Sequence, residues 1–251
     1  MNQGTVSSQI NETSAYVTFS HPAGNSCTSK MLADLCAEID DLSRNDSIRA
    51  IVLQSPEHTA FCAGANLSEV VSLSNMEESK EFFMGFARLI LSIKKSSKLL
   101  IARVHSKAVG GGVGIIAACD MAFATRKSSL RLSEINLGIA PLVIAPALMR
   151  KMGVSAFSTL SLNPTDWLDS QWAYQRGLYT QKYDSLEALD EDLNRRLEGI
   201  GSWSPLAMKE LKSSLWETTT DWEQLLESKA AATAKLALSD YTQEQLKKYR
   251  K

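Results

Sequence analysis

Several signatures of common protein classes are missing from this 251-residue sequence. Its four cysteines are scattered and none forms a CxxC pair, which leaves no zinc-knuckle or dithiol redox motif. No window approaches the roughly 18 consecutive apolar residues of a membrane-spanning helix, and the N-terminus lacks the basic and apolar regions of a secretory signal. We therefore expect a cytoplasmic protein without a membrane partner.

An excess of charge of either sign is also lacking. The 27 Lys and Arg residues nearly balance the 28 Asp and Glu residues, which leaves a formal net charge of -1. Such a balance gives no general attraction to nucleic acid, and no His or Cys cluster suggests a metal site. No linker or repeat divides the chain, and 44% hydrophobic residues are enough to build a buried core. The sequence therefore predicts a globular protein of closely joined parts.

Strand and helix patterns alternate over the first 130 residues. Apolar, β-rich runs predict strands at 15–20, 48–54, 99–104 and 121–125. Apolar residues at helical spacing predict helices at about 29–44 and 77–95. This alternation is typical of the α/β class, whereas strong helix formers predict only helices from about Pro205 onward.

Two segments rich in small residues can expose backbone N–H groups to a ligand. One is the run 60–67 (AFCAGANL), and the other is 109–114 (VGGGVG), which leads into a predicted helix. Unpaired N–H groups and the helix dipole favour negative charge at a helix N-terminus. Donors from both segments on one oxygen would form an oxyanion hole. Judged by composition alone, two ordinary glycine-containing turns are the alternative.

Glu134 is the candidate acid–base residue because it stands in a mostly apolar stretch. Desolvation there would raise the pKa of its carboxyl group toward the range of a general base. The alternatives are a solvated charge or an ion pair with Arg131. We expect Cys62 to be a packed thiol. The histidines are isolated from one another and are expected to be structural; they are His21, His58 and His105.

A dinucleotide-binding pattern is also present. Gly112, Gly114 and Ala117 satisfy GxGxxA, and Glu134 follows about twenty residues later, where a ribose-binding acid would stand. Against this interpretation, residues 106–111 separate the preceding strand from the first of these glycines. An NAD-dependent oxidoreductase remains an alternative at this point.

Four ordered segments carry a resemblance to a known family: HPAGNSCTSKML, AFCAGANL, KAVGGGVGIIAACDMAFA and LSEINLGIAPLVIAP. Together they resemble the crotonase, or enoyl-CoA hydratase/isomerase, superfamily over nearly the whole chain. The resemblance implies an α/β superhelix of ββα units in an acyl-CoA-binding core at 1–195. It also implies a helical oligomerisation region at 196–251, which would form a homotrimer or homohexamer. Four apolar residues of this tail should need a partner surface, namely Leu225, Ala231, Leu236 and Leu238.

The resemblance further implies roles for individual residues. The N–H groups of Ala65 and Gly111 would hold the thioester carbonyl, and Glu134 would transfer the proton. The residues implied to line the acyl-CoA path are Ala63, Gly64, Asn66 and Gly110. Ala23 and Gly24 would lie near the pantetheine or the nucleotide. The implied ligand is an acyl-CoA thioester, with no metal and no cofactor besides the CoA of the substrate.

One departure from the family pattern limits the mechanism. Hydratases with two acids carry the first of them at the position of Gly114, so only Glu134 remains here. The motif spelling is most similar to the branch acting on branched or carboxylated enoyl-CoA esters such as methylglutaconyl-CoA, which also has glycine there. We therefore expect a single-Glu enoyl-CoA hydratase. A 3-enoyl-CoA to 2-enoyl-CoA isomerase and an acyl-CoA binder without hydratase chemistry are the alternatives.

Overall fold

A main sheet of six strands organises the fold of residues 3–249. These are the residues that this computed structural model describes. Strands β1 and β2 are antiparallel, and every later neighbour in the sheet pairs in parallel. In spatial order the strands are β1 (Thr5–Asn11), β2 (Ser14–Ser20), β3 (Ala50–Gln54), β4 (Leu99–Val104), β6 (Met121–Thr125) and β9 (Gln181–Tyr183). A smaller sheet contains β5 (Ala108–Val109), β7 (Ser129–Arg131) and β8 (Leu168–Asp169).

Helices cover both faces of the main sheet and make up most of the C-terminal third. They are α1 (Ser29–Arg44), α2 (Leu67–Ser72), α3 (Met76–Lys95), α4 (Gly111–Ala118), α5 (Ala145–Leu162), α6 (Ser170–Gln175), α7 (Leu186–Gly201), α8 (Pro205–Leu215), α9 (Trp222–Ala237) and α10 (Asp240–Leu246). Short 3-10 turns lie at Glu134–Leu137, Glu217–Thr219 and Lys247–Tyr249. Across the described residues, no helix is both long enough and apolar enough to cross a bilayer.

Local sequence explains where the first long helices begin and which faces they bury. The Thr28 hydroxyl accepts a hydrogen bond from Met31 N and caps α1, and the Asn75 side chain caps α3 in the same way. Helix α1 buries the apolar positions that the sequence pattern indicated, namely Met31, Leu32, Leu35, Ile39 and Leu42. The predicted helix at 77–95 and the predicted strands are confirmed to within two residues.

Alternate residues of the central strands face two different apolar clusters. In β3, Ile51 and Leu53 face the main core, which also takes up the apolar sides of α1 and α3. Ala50 and Val52 face the opposite side, where α7 packs. Both faces of the sheet are thus covered, as is usual for parallel strands. The expected boundary at 195/196 falls inside α7.

The C-terminal helices pack against the core of the same chain. Helix α9 lies along α3, and the Ser79 hydroxyl contacts Ala234 O at 3.4 Å. The apolar tail residues expected to need a partner are therefore half-buried within the chain; they are Leu225, Ala231, Leu236 and Leu238. More fully exposed apolar side chains lie on α8, where Leu206, Leu211 and Leu215 are 68%, 59% and 52% exposed.

A buried ion pair ties α8 to the strands of the main sheet. Lys212 Nζ lies 2.9 Å from Asp120 Oδ2, and the two side chains are 3% and 4% exposed. Leu100 N also donates to Asp120 Oδ2 at 2.8 Å, and Lys212 Nζ donates to Lys98 O at 2.7 Å. Burial lowers the pKa of Lys212, while Asp120 opposes this effect. Removing either partner would leave the other group buried without its counter-charge.

Replacing Asp120 with Asn should therefore destabilise the protein by about 3–5 kcal/mol, because the ammonium group of Lys212 loses its counter-ion in a buried position. Chemical denaturation monitored by circular dichroism would measure this loss. The exposed pair Lys30–Asp34 supplies the control, since Lys30→Met should cost no more than about 1 kcal/mol. Equal effects of the two substitutions would contradict the structural role of the buried pair.

Candidate active site

The small-residue run at 60–67 is held between two neighbouring backbone segments. On one side Cys27 N donates to Gly64 O at 2.7 Å, and Asn66 N donates to Cys27 O at 2.9 Å. On the other side Val109 N donates to Cys62 O at 2.8 Å. These hydrogen bonds place the run beside the triple glycine that begins α4.

Two backbone N–H groups, those of Ala65 and Gly111, lie at this junction. A Cβ atom built on Gly64 would be 3.6 Å from Gly111 N. Within residues 3–249, neither N–H donates to a backbone or side-chain acceptor. Gly111 is the first residue of α4, where helix geometry leaves the N–H without a partner and the dipole favours negative charge. The arrangement suits an oxyanion hole.

Glycine is required in this turn by backbone conformation and by close neighbours. Gly110 has a φ of +52°, and a Cβ atom there would lie 2.7 Å from Glu134 Oε1. A Cβ atom on Gly111 would lie 2.2 Å from Cε1 of Phe86. The absence of side chains therefore lets the Glu134 carboxyl group and the Phe86 ring reach the start of α4.

Glu134 begins the 3-10 turn that follows β7. Its Oε2 atom is enclosed and has no hydrogen-bond partner among the described residues. Burial raises the pKa of Glu134 to about 7, although backbone hydrogen bonds from Glu134 and Ser133 partly oppose the shift. Within residues 3–249, Glu134 forms no ion pair with Arg131. The carboxyl group is thus desolvated, as the apolar sequence around it predicted.

A cavity of about 110 Å³ opens beside Glu134. Its polar side chains, among the described residues, are those of Ser133, Glu134 and Thr233. The Thr233 hydroxyl donates to Lys229 O at 2.8 Å, whereas the Ser133 hydroxyl makes no such bond within residues 3–249. Larger apolar side chains form the rest of the wall: Leu67, Val70, Phe83, Phe86, Val109, Leu137, Ile139, Pro141, Leu142, Val143 and Ile144.

The side chain of Ile144 occupies the space that a second acidic side chain at position 114 would need. A Cβ atom on Gly114 would lie 2.2 Å from Cγ2 and 2.6 Å from Cβ of Ile144. Ile144 also lines the cavity. The sequence showed that Gly114 lacks a side chain, but only the structure shows which residue occupies the space.

The residues expected to hold the carbonyl, to line the acyl-CoA path or to lie near the pantetheine and nucleotide divide into two groups. Those that line the cavity are Ala63, Gly64, Ala65, Gly110 and Gly111. Ala23, Gly24 and Asn66 do not line it, although Ala63 N donates to Gly24 O at 3.1 Å. The Asn66 side chain caps α2 and donates to the Ser26 hydroxyl at 2.9 Å, so it fixes the loop.

The cavity residues that sequence reasoning missed come from distant segments. Phe86 lies in the helix predicted at 77–95, Ile144 lies in the segment LSEINLGIAPLVIAP without an assigned role, and Thr233 lies in the helical tail. Helical periodicity identifies which side chains are buried on a helix, but it does not identify the segment that they meet. These residues could be assigned to the site only after the helices were placed.

The dinucleotide interpretation does not fit this geometry. Gly112 and Gly114 lie inside α4 and not in the turn before it. Cys62 and Ile144 pack against them so closely that the backbone is not open to a pyrophosphate. The Cys62 thiol itself is fully buried, 3.6 Å from the sulfur of Cys27, which agrees with a packing role.

Comparison with known proteins gives consistent matches. The family described as enoyl-CoA hydratase/isomerase matches residues 9–250. A Bacillus subtilis protein named as a probable enoyl-CoA hydratase is 31% identical over 54% of this chain and 52% of its own length. The peroxisomal Delta(3,5)-Delta(2,4)-dienoyl-CoA isomerase of Arabidopsis thaliana is 27% identical over 80% of this chain and 77% of its own. The chain thus spans about half the length of the first of these curated relatives.

Solved structures show the same fold. An enoyl-CoA hydratase from Bacillus halodurans superposes with a TM-score of 0.90, at 22% identity, over 97% of this chain and 99% of that one. An enoyl-CoA hydratase from Mycobacterium avium gives a TM-score of 0.83, at 25% identity, over 97% and 95%. The α/β architecture with its helical C-terminal region is therefore the crotonase fold, and the chain belongs to the enoyl-CoA hydratase/isomerase family.

Proposed function

We propose that this chain is an enoyl-CoA hydratase with Glu134 as its one acid–base group. The observation that carries the proposal is the enclosed Glu134 carboxyl group, with a raised pKa and no partner for Oε2 within residues 3–249. It stands in a mostly apolar cavity beside the N–H groups of Ala65 and Gly111, which are free within the described residues. A pKa near 7 allows one group to take up and return a proton at neutral pH.

In this mechanism the thioester oxygen accepts hydrogen bonds from Ala65 N and Gly111 N. Ionised Glu134 takes a proton from water as the water oxygen bonds to C3, and the electron pair of the double bond moves toward the thioester oxygen. The two N–H donors stabilise the resulting enolate. Protonated Glu134 then gives its proton to C2, which restores the thioester and the ionised carboxylate.

Ser133 favours hydration because a nucleophilic water needs more than one polar partner. A buried water typically makes about three hydrogen bonds. Ser133 lines the cavity and is adjacent to Glu134 in sequence, and its side chain makes no capping hydrogen bond. Together with the carboxylate it offers a second contact for the attacking water.

The second candidate is isomerisation of a 3-enoyl to a 2-enoyl thioester, which the hydrocarbon wall at Ile144 favours. Glu134 would then remove a proton from C2 and return it to C4, and no water would be required. The same oxyanion hole would stabilise the intermediate enolate. A protein that only bound acyl-CoA would not need an acid–base group, so the raised pKa of Glu134 favours an enzyme over a binder.

The cavity favours a short hydrocarbon acyl group. Its size suits a few non-hydrogen atoms, and its lining residues within 3–249 include no Lys, Arg or His. A branched acyl group fits the apolar wall better than one ending in a carboxylate, because a charge buried there would lack a partner. Coenzyme A, as part of the substrate, is the only cofactor that the proposed reaction requires.

Glu134→Gln should lower turnover by at least about 10², because the amide keeps the shape of the side chain but cannot accept the proton. In the wild type, kcat/KM should rise with pH up to about 7 as the carboxyl group ionises. Loss of the conjugated thioester absorbance of crotonyl-CoA, with product analysis, would measure both.

Ser133→Ala is the companion variant in this assay. It should slow hydration about two- to tenfold, the size expected for one neutral hydrogen bond, and leave isomerisation unchanged. Full activity of Glu134→Gln would overturn both candidate reactions. Equal slowing of hydration and isomerisation by Ser133→Ala would remove the argument for hydration.

Gly114→Glu alone should destabilise the protein, because its Cβ would lie 2.2 Å from Cγ2 of Ile144. Adding Ile144→Gly removes that clash, since the Ile144 Cα would be 3.7 Å away. We expect the double variant to melt higher than Gly114→Glu and to hydrate crotonyl-CoA faster than the Ile144→Gly control. A single variant as stable as the wild type would show that the contact is not limiting.

The exposed side chains of Leu211 and Leu215, four residues apart on one face of α8, support the proposal of a homotrimer or a dimer of trimers, since closed symmetry buries such apolar surface. Light scattering at micromolar concentration should give a multiple of the 27.6 kDa protomer mass. Leu211→Lys should lower that mass, whereas Ile10→Lys on the edge strand β1 should not. A 27.6 kDa wild-type particle would contradict the proposal.

A further inference from the structure

Two cationic side chains share one aromatic ring on the small sheet. The Lys107 ammonium lies 4.9 Å from the centroid of the Trp167 ring, and the Arg131 guanidinium carbon lies 4.5 Å from it. The Trp167 side chain is 39% exposed, so the cluster is open to solvent on one side. The cluster plays no part in the chemistry proposed for Glu134.

These cations lack a counter-ion. Within residues 3–249, neither Lys107 nor Arg131 forms an ion pair, and the buried Nε of Arg131 has no hydrogen-bond partner. Two like charges held near one ring repel each other, and an unpartnered buried N–H costs free energy. An oxyanion bound between them would relieve both costs, and a guanidinium group binds such an ion through paired hydrogen bonds.

The register of the small sheet places the cluster next to the cavity. Val109 pairs with Arg131, so their side chains point to the same face of the sheet. Lys107 lies immediately before β5, and its contact with the Trp167 ring places its side chain beside that of Arg131. Val109 lines the cavity, and so does Ser133, two residues after Arg131. A ligand in the cavity could therefore extend toward the cluster.

We propose that Lys107, Arg131 and Trp167 form a subsite for an oxyanion of the bound thioester. This inference rests on the proposed acyl-CoA function. The oxyanion is either a phosphate of the CoA portion or a carboxylate on the acyl group, which the cavity itself cannot pair. Either one is held by the two cations, with the indole ring keeping their side chains in place.

Calorimetric titration with three saturated ligands tests the subsite without any need for turnover. Butyryl-CoA carries phosphates, butyryl-pantetheine carries none, and glutaryl-CoA adds an acyl carboxylate. For Arg131→Met and for the exposed Lys107→Met, a phosphate subsite predicts about tenfold weaker binding of both CoA esters and unchanged binding of butyryl-pantetheine. A carboxylate subsite predicts weaker binding of glutaryl-CoA alone. Arg131→Lys, which keeps the charge, should restore part of the affinity.

Lys209→Met is the matched control, because it removes an exposed positive charge on α8. Any of three results would overturn the subsite. The first is an unchanged affinity in both cluster variants, and the second is an equal loss of affinity for all three ligands. The third is the same loss of affinity in Lys209→Met. The proposed function would fail separately if the wild type bound these esters, if the variants showed the expected differences in affinity, and if the protein still turned over no enoyl-CoA. A wild type that binds none of the three ligands would contradict both proposals.

Discussion

The absence of Cβ atoms at the start of α4 is the constraint on which the site depends. The Glu134 carboxyl group, the Phe86 ring and the Ile144 side chain each occupy space that a Cβ atom on Gly110, Gly111 or Gly114 would need. The same glycines leave the N–H of Gly111 facing the junction with the run 60–67. Helix α4, the run 60–67 and the turn that carries Glu134 can therefore meet only because this stretch has no side chains.

Local patterns were sufficient to predict the framework that positions these parts. The apolar spacing in α1 identified its buried face because a helix brings residues three and four apart to the same side. The apolar stretch around Glu134 indicated a raised pKa, and the structure shows that segments distant in sequence, such as the turn at Gly110, enclose the carboxyl group. The motifs supplied the roles of Ala65 and Gly111, and the structure places both at one junction, with their N–H groups free within residues 3–249.

Contacts between distant segments could not be predicted in the same way. Ile144 gave no sign that it fills the space above Gly114, since nothing local links the two residues. Helix α9 packs on α3 of the same chain and buries residues other than Leu225, Ala231 and Leu236, which were expected to need a partner and stay half-buried. Periodicity identifies an apolar face, but the segment that covers it depends on the packing of the whole chain.

The packing of the last helices affects when the site is completed during synthesis. Thr233 of α9 lines the cavity, and the side chains of Tyr241 and Thr242 in α10 press against Gly138, at the end of the turn that carries Glu134. A nascent chain that has not yet exposed these residues has the glycine turn and Glu134 but lacks part of the cavity wall and this contact. Because chains emerge from the ribosome N-terminus first, the desolvated carboxyl group acquires its final surroundings only after α9 and α10 have emerged.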